Sequence, residues 1–183
     1  NNNYYLNDSM KGYECIWDAS GVDEINAASA SKATSIDLRN ATLNNEPGGG
    51  GFITEINGEY KGFTIAYNST GDCIIENATG SNFNDQITGN QYSNKIYGLS
   101  GDDEIFARGG DDFVYGGFGN DTIYGSFYGD TSNSIDTLIG GSGSDLFILG
   151  TNAGSFYSNS LLNDFANITD FDFVEDKLKL NKS

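Results

Sequence analysis

The chain has 183 residues, with 26 acidic side chains against 9 basic ones and a net charge of −17. That acidity argues against nucleic acid or an anionic membrane as a partner, since both are held by basic surfaces. Histidine is absent, which excludes His-based zinc chemistry, a Ser-His-Asp triad and a Cys-His dyad within the chain; it is therefore expected not to be an enzyme, any catalytic domain lying outside it.

The opening stretch, NNNYYLNDSM, has no basic n-region, no apolar h-region and no initiator Met. It reads as the start of a fragment or processed chain and not as a signal peptide. No run of about 18 apolar residues occurs, so no transmembrane helix is expected. Trp17 follows Ile16 in a β-prone stretch and is expected in the core, with a ligand-stacking surface as the alternative. EPGGGG (46–51) is expected to be a flexible loop. FITEINGEYKGFTIAY (52–67) reads as a β-hairpin, because β-prone runs flank Asn57-Gly58, a pair suited to a turn with two positive φ angles.

From Gly80 the sequence becomes periodic. Cut every nine residues, it reads GSNFNDQIT, GNQYSNKIY, GLSGDDEIF, ARGGDDFVY and GGFGNDTIY; a unit with a six-residue insertion follows from Gly125, and then GGSGSDLFI from Gly140. The sixth place is Asp85, Asn94, Asp103, Asp112, Asp121, Asp136 and Asp145. The eighth is Ile87, Ile96, Ile105, Val114, Ile123, Leu138 and Phe147. Such a fixed period predicts a solenoid. A short strand around the eighth place points its apolar side chain inward, and the glycine-rich stretch before it makes the turn. One strand cannot bury its own apolar face, so successive units must stack into two parallel sheets around a shared ladder. Two units make one coil, and turns n and n+2 lie above one another.

That stacking brings the sixth-place side chains together, Asp85, Asp103, Asp121 and Asp145 along one edge and Asn94, Asp112 and Asp136 along the other. Between Gly80 and Ile148, nine Asp and one Glu face only Lys95 and Arg108, ten negative charges against two positive, a net of −8. Like charges so close repel unless a cation lies between them. Oxygen-only ligands suit a hard cation, and adaptable backbone carbonyls favour Ca²⁺ over Mg²⁺.

These units resemble the RTX nonapeptide, G-G-x-G-x-D-x-U-x, of the calcium-filled parallel β-roll. The units from Gly116 and Gly140 match fully; Phe83 and Tyr92 replace the fourth-place glycine, and Asn94 replaces the Asp. The resemblance implies an ion between turns n and n+2, held by both sixth-place carboxylates and by carbonyls near the glycines. Carried over, sites pair Asp103 with Asp121, Asp121 with Asp145 and Asp112 with Asp136, the last across the insertion. Pairs of Asp85 with Asp103 and of Asn94 with Asp112 come after these. The backbone positions so implied are Leu99, Gly101, Arg108, Gly110, Gly116, Gly117, Phe118, Gly119, Gly140 and Ser142.

Three further segments, Cys15–Arg39, Ile65–Asn90 and Ile168–Leu180, resemble the C-terminal domain of serralysin-type metalloproteases. That likeness implies another calcium held by Asp18, Asp23 and Glu76, with carbonyls of Ser20 and Ile74. It also makes the strands of Cys15 and Cys73 neighbours, giving either a disulfide, which an extracellular protein permits, or two small buried thiols. The zinc protease domain that precedes this module in the family is not in the sequence, nor is most of the family's C-terminal secretion tail.

The expected architecture is therefore an all-β parallel β-roll. Residues 1–79 form an N-terminal capping β region with the hairpin, 80–148 the calcium roll, and 149–183 a C-terminal cap. Phe165, Ile168, Phe171, Phe173, Leu178 and Leu180 are expected to cover the open end of the roll, with a partner-binding patch as the alternative. The expected function is a calcium-binding module of a secreted bacterial protein, exported by a type I route and folding in calcium-rich medium as the secretion and stability module of a serralysin-like parent. The alternative is a self-assembling, calcium-dependent surface protein such as an S-layer, adhesin or filament subunit. Calcium is the expected cofactor and partner, with several ions, and a passenger domain or self-association the further partner.

Overall fold

The computed structural model describes residues 1–18, 20–44, 51–67, 73–127, 134–151, 154, 155, 157 and 165–180. Apart from Gly51, the EPGGGG loop lies outside the described residues. The described residues are all-β and carry no helix. The strands are β1 (Asn3–Tyr5), β2 (Tyr13–Ile16), β3 (Glu24–Asn26), β4 (Thr34–Asp37), β5 (Ile53–Ile56), β6 (Glu59–Ile65), β7 (Asn77–Thr79), β8 (Gln86–Thr88), β9 (Lys95–Ser100), β10 (Glu104–Phe106), β11 (Phe113–Phe118), β12 (Thr122–Tyr124), β13 (Ile135–Ser142), β14 (Leu146–Ile148), β15 (Gly150–Thr151), β16 (Gly154–Ser155), β17 (Phe165–Ile168) and β18 (Lys177–Lys179).

Successive units alternate between two sheets, as a nine-residue period requires when one unit supplies one strand and one turn. One sheet runs β1-β3-β7-β9-β11-β13-β17, and the other β18-β14-β12-β10-β8-β4-β5-β6-β2. Within the repeat every pairing is parallel and in phase, Ile105 opposite Ile87 and Ile123, Val114 opposite Ile96 and Leu138. The eighth-place residues Ile87, Ile96, Ile105, Val114, Ile123, Leu138 and Phe147 are all fully buried. This ladder is the core between the sheets, and it continues into Ile25, Ile36 and Ala78 of the preceding strands.

The hairpin forms as the sequence predicts. β5 and β6 pair antiparallel about Asn57 and Gly58, whose φ angles are 54° and 73°. Its far strand β6 then takes β2 as a parallel neighbour.

Three expectations need correction. Trp17 is 70% exposed, because the inward phase of β2 falls on Ile16 and the indole is left on the outside. Cys15 and Cys73 are free thiols, Cys15 exposed and Cys73 buried; each Sγ donates to the carbonyl oxygen of Ile16, at 3.9 and 3.5 Å. The third concerns the described C-terminal residues 165–180, which add a further coil to the roll. β17 pairs with β13 and β18 with β14, both parallel. Ile168 and Phe171 pack on the core, while Phe165, Leu178 and Leu180 stay exposed and Phe173 is 92% exposed. One further coil buries only its inward phase, so the outward side chains have nothing to cover.

Candidate metal centre

The sixth-place residues stack as two rows along the edges of the roll. In one row Asp103 Oδ1 accepts from the Asp85 amide at 2.7 Å, Asp121 Oδ1 from Asp103 at 2.9 Å, and Asp145 Oδ1 from Asp121 at 2.9 Å. In the other, Asp112 Oδ1 accepts from Asn94 at 2.8 Å and Asp136 Oδ1 from Asp112 at 2.9 Å. All five pairs expected from the sequence are thus adjacent. The insertion does not disturb the last of them, because β11 and β13 keep their register across it.

One carboxylate oxygen of each pair is used in this ladder. The other is the chemically informative one. Asp103 Oδ2 and Asp121 Oδ2 are buried and meet no hydrogen-bond donor. A methyl group placed on Gly98 would collide with Asp103 Oδ2 and with the carbonyl oxygen of Gly116. One on Gly116 would meet Asp121 Oδ2 and the Gly140 carbonyl oxygen, and one on Gly140 would meet Asp145 Oδ2. These first-place glycines therefore keep open a space on which a carboxylate oxygen converges, joined at Gly98 and Gly116 by a carbonyl from the next coil; Gly80 has the same arrangement, with Asp85 Oδ2 and the Gly98 carbonyl oxygen. A buried anion without a donor is costly, and oxygens alone converging on one point suit a hard cation.

The backbone of these turns is shaped for that purpose. Gly117 and Gly141 in the second place, and Gly101, Gly110, Gly119 and Gly143 in the fourth, all have φ between 94° and 133°. Leu99 and Arg108 adopt φ of 83° and 82° in the second place although neither is glycine. Side chains rarely accept that region, so its use here is strain imposed by the turn. The turns also stack tightly. A side chain on Gly119 would strike the Gly101 carbonyl, one on Gly117 the Leu99 carbonyl, and one on Gly110 the Tyr92 carbonyl. The Phe118 and Ser142 carbonyls accept from the Gly101 and Gly119 amides. The Arg108 guanidinium lies over the Phe127 ring at 4.8 Å.

Burial is the main force on the acids. It pushes Asp103 up to about 8, with the Asp121, Asp85 and Asp102 charges adding to it against the Asp85 amide hydrogen bond. It pushes Asp121 up to about 7, with Asp145 and Asp102 adding. Asp85 and Asp145 rise for the same first reason. A cation between the turns would reverse this balance by favouring the ionised carboxylates.

Not every sixth-place group has this character. Asp85 is fully engaged by protein donors: Oδ1 takes the Thr34 amide at 2.5 Å and the Thr34 and Ser81 hydroxyls at 2.9 Å, and Oδ2 takes the Ser81 amide. Asn94 donates to the Glu76 carbonyl at 3.0 Å and to Asn90 Oδ1 at 3.1 Å. Asp136 Oδ2 accepts from the Tyr157 hydroxyl.

The N-terminal set is only partly assembled. Asp23 and Glu76 come together, the Asp23 amide donating to Glu76 Oε2 at 2.8 Å. Asp18 instead accepts from Asn2 and the Tyr4 hydroxyl at 2.6 and 2.7 Å. Ser20 donates its amide to Asp18 Oδ1 at 3.3 Å, and Ile74 is half-buried beside Cys73. Among the described residues no three His, Cys, Asp or Glu side chains converge to hold an ion, so an ion would rest on carboxylate pairs with backbone carbonyls.

Two features went unseen in the sequence. The first is a continuation of the rows. Asp176 Oδ1 accepts from the Asp145 amide at 2.9 Å, and Asp170 accepts from the Gly140 and Gly141 amides. Neither residue stands in the nine-residue phase, and only the pairing of β14 with β18 aligns Asp176. The second is a solvent-side ladder from the fifth place. Asn84, Asp102 and Asn120 each accept from the amide one coil further on, at 3.0, 2.8 and 2.9 Å. Its direction opposes that of the sixth-place ladder, so each turn is stitched to both neighbours. The fifth-place run Asn84, Ser93, Asp102, Asp111, Asn120 carried that signal.

Fold and turns together define a cation-binding parallel β-roll. Residues 79–114, 98–127 and 128–153 match the family described as RTX calcium-binding nonapeptide repeat (4 copies). That match supports a calcium-binding RTX module over this part of the chain. No curated protein matches the chain.

Proposed function

We propose that the roll is a calcium-operated folding module of a secreted bacterial protein, with ions between the turn pairs Asp103/Asp121, Asp121/Asp145 and Asp112/Asp136. The observation that carries this reading is the pair of buried, donor-free oxygens, Asp103 Oδ2 and Asp121 Oδ2. Calcium, when bound, supplies the positive charge that lets these carboxylates be buried ionised. Without it, Asp103 and Asp121 must take up protons or return to water, and returning to water means opening the coil. Binding free energy is then folding free energy. In calcium-poor cytosol the coils that carry these pairs stay open, which suits export through a narrow type I channel; in calcium-rich medium they close. The likeness to serralysin C-terminal domains makes an exported protease the parent that best suits this role. On the same reading Asp18, Asp23 and Glu76, with the Ser20 and Ile74 carbonyls, form the N-terminal site once Asp18 turns from Tyr4.

A second reading, a calcium-dependent surface or filament protein, is favoured by the exposed Phe173, Val174 and Leu180 beside β17 and β18, which are edge strands among the described residues. Open edges and apolar surface invite end-to-end joining. Light-scattering mass followed through a calcium titration of chelated protein separates the two. Compaction at constant monomer mass supports the folding module, and large chelator-reversible assemblies support the surface protein. A chain whose size and circular dichroism ignore calcium would refute both.

A further inference from the structure

The turns of the repeat fall into two classes. In units 98–106, 107–115, 116–124 and 140–148 the fourth place is a left-handed glycine, and the second place is left-handed as well. In units 80–88 and 89–97 neither place has positive φ, and both carry side chains: Ser81 and Phe83, then Asn90 and Tyr92. The second-place side chain there reaches the sixth-place one directly. Ser81 Oγ donates to Asp85 Oδ1 at 2.9 Å, and Asn94 Nδ2 donates to Asn90 Oδ1 at 3.1 Å.

The asparagine turn goes further. Asn90 Nδ2 donates to the Ile75 carbonyl at 2.8 Å and to the Leu38 carbonyl at 3.4 Å, and Asn94 Nδ2 to the Glu76 carbonyl at 3.0 Å. Asn90 and Asn94 are both almost wholly buried. Two amide groups thus satisfy carbonyls of the preceding coil from within. In the later turns the corresponding position holds only acceptors, two of them without donors. A neutral amide that both donates and accepts closes a turn without adding charge; an aspartate with Leu99, Gly117 or Gly141 in the second place gains no such side-chain donor.

We propose that the Asn90–Asn94 amide pair, together with the Ser81 and Thr34 hydroxyls on Asp85, stands in for a cation, so that the coils up to about residue 97 fold without calcium and template the calcium-dependent coils after it. This rests on the calcium-operated reading above and adds a direction to it. The apo chain is half folded: an N-terminal platform built from β3, β4, β7, β8 and β9 presents ready-made strand edges. Coils from Gly98 onward add to it in order as their turns fill. A solenoid propagates in this way from any coil that is stable alone.

The test is amide hydrogen exchange on the whole chain, chelated and calcium-loaded. The reporters are the Leu38, Asn77 and Gly80 amides, bonded to the Thr88, Asp23 and Tyr97 carbonyls, and the Gly119, Thr122 and Leu146 amides, bonded to the Ser142, Asp103 and Asp121 carbonyls. Chelation should change the first set by less than about tenfold and speed the second by more than about a hundredfold. The double variant Asn90→Gly, Asn94→Asp converts the turn to the cation-demanding class. In it Asn77 and Gly80 should lose protection on chelation and regain it with calcium. If all six wild-type amides lose protection together on chelation, the platform does not exist and the inference is overturned while the calcium-operated reading stands. If no amide responds to calcium, that reading itself fails. A double variant whose Asn77 and Gly80 stay protected under chelation would also overturn the role given to the asparagines.

Discussion

The units 80–97 and the units 98–148 share a period, a strand register and an apolar ladder, yet they solve the turn differently. Ile87 and Ile96 in the first region are as completely buried as Ile105, Val114 and Ile123 in the second. The strands pair without a break from β7 to β9 to β11 and from β8 to β10 to β12. Only the turns diverge. Those of the first region are closed by hydroxyls and amides, and those of the second by left-handed backbone, with buried, donor-free carboxylate oxygens at Asp103 and Asp121. The apolar ladder therefore decides the fold, while the turn chemistry decides what the fold needs from solution.

Several substitutions can break or sharpen that contrast. The largest effects should come from the ladder itself. Ile36→Ala and Ile105→Ala each empty a fully buried position, with an expected loss of about 2–5 kcal/mol. Urea unfolding should detect the first with or without calcium and the second only with it. Next comes Asp121→Asn, which touches two stacked pairs and should raise the calcium midpoint at least ~tenfold, read by calorimetric titration. Gly119→Ala forces a Cβ against the Gly101 carbonyl at φ 129°, and should cost about 1–3 kcal/mol of calcium-loaded stability. Calcium affinity should fall with it, measurable in the same titration.

Acid should act in opposite senses on the two states. Asp103 and Asp121 have folded-state pKa values raised to about 8 and about 7 from 3.8. A raised value contributes stability that is complete below the unfolded pKa and is lost as pH climbs through the folded one. The cation-free second region should therefore be more stable near about pH 5 than near about pH 8.5, while calcium binding, which must displace those protons, weakens over the same descent. Exchange at Thr122 and Leu146 measures the first effect, and titrations at both pH values measure the second. The smallest effect expected is that of Asp85→Asn on calcium affinity, within about threefold, because Thr34 and Ser81 already occupy its oxygens. An equal loss for Asp85→Asn and Asp121→Asn would erase the distinction between the regions.

Much of this was legible in advance for a simple reason. A nine-residue period puts the same side chain at the same height in every coil, so sequence phase and spatial position coincide. Asp103, Asp121 and Asp145 could be stacked on paper, and so could Ile105 on Ile123. The hairpin at Asn57-Gly58 was readable because its turn depends on two adjacent residues alone. Where the phase lapses, that correspondence lapses too. Trp17 was placed on the wrong side because nothing periodic marks which face of β2 is inward, and a one-residue error reverses every side chain. Phe173 and Leu178 looked like a cap because apolar content does not say whether a segment folds across an end or extends it.

The sequence alone thus determined the two-sheet roll, its buried Ile, Val, Leu and Phe ladder, the stacked carboxylate rows and the demand for a hard cation, because each follows from composition repeated at a fixed interval. The tertiary structure alone decided which carboxylates are left without donors. That depends on groups distant in sequence: Thr34 reaching Asp85, the Leu38, Ile75 and Glu76 carbonyls meeting Asn90 and Asn94, Tyr157 reaching Asp136, and Asp176 extending the row beyond Asp145. Hydrogen-bond satisfaction is a property of neighbours in space, and outside the repeat the order of residues does not name those neighbours.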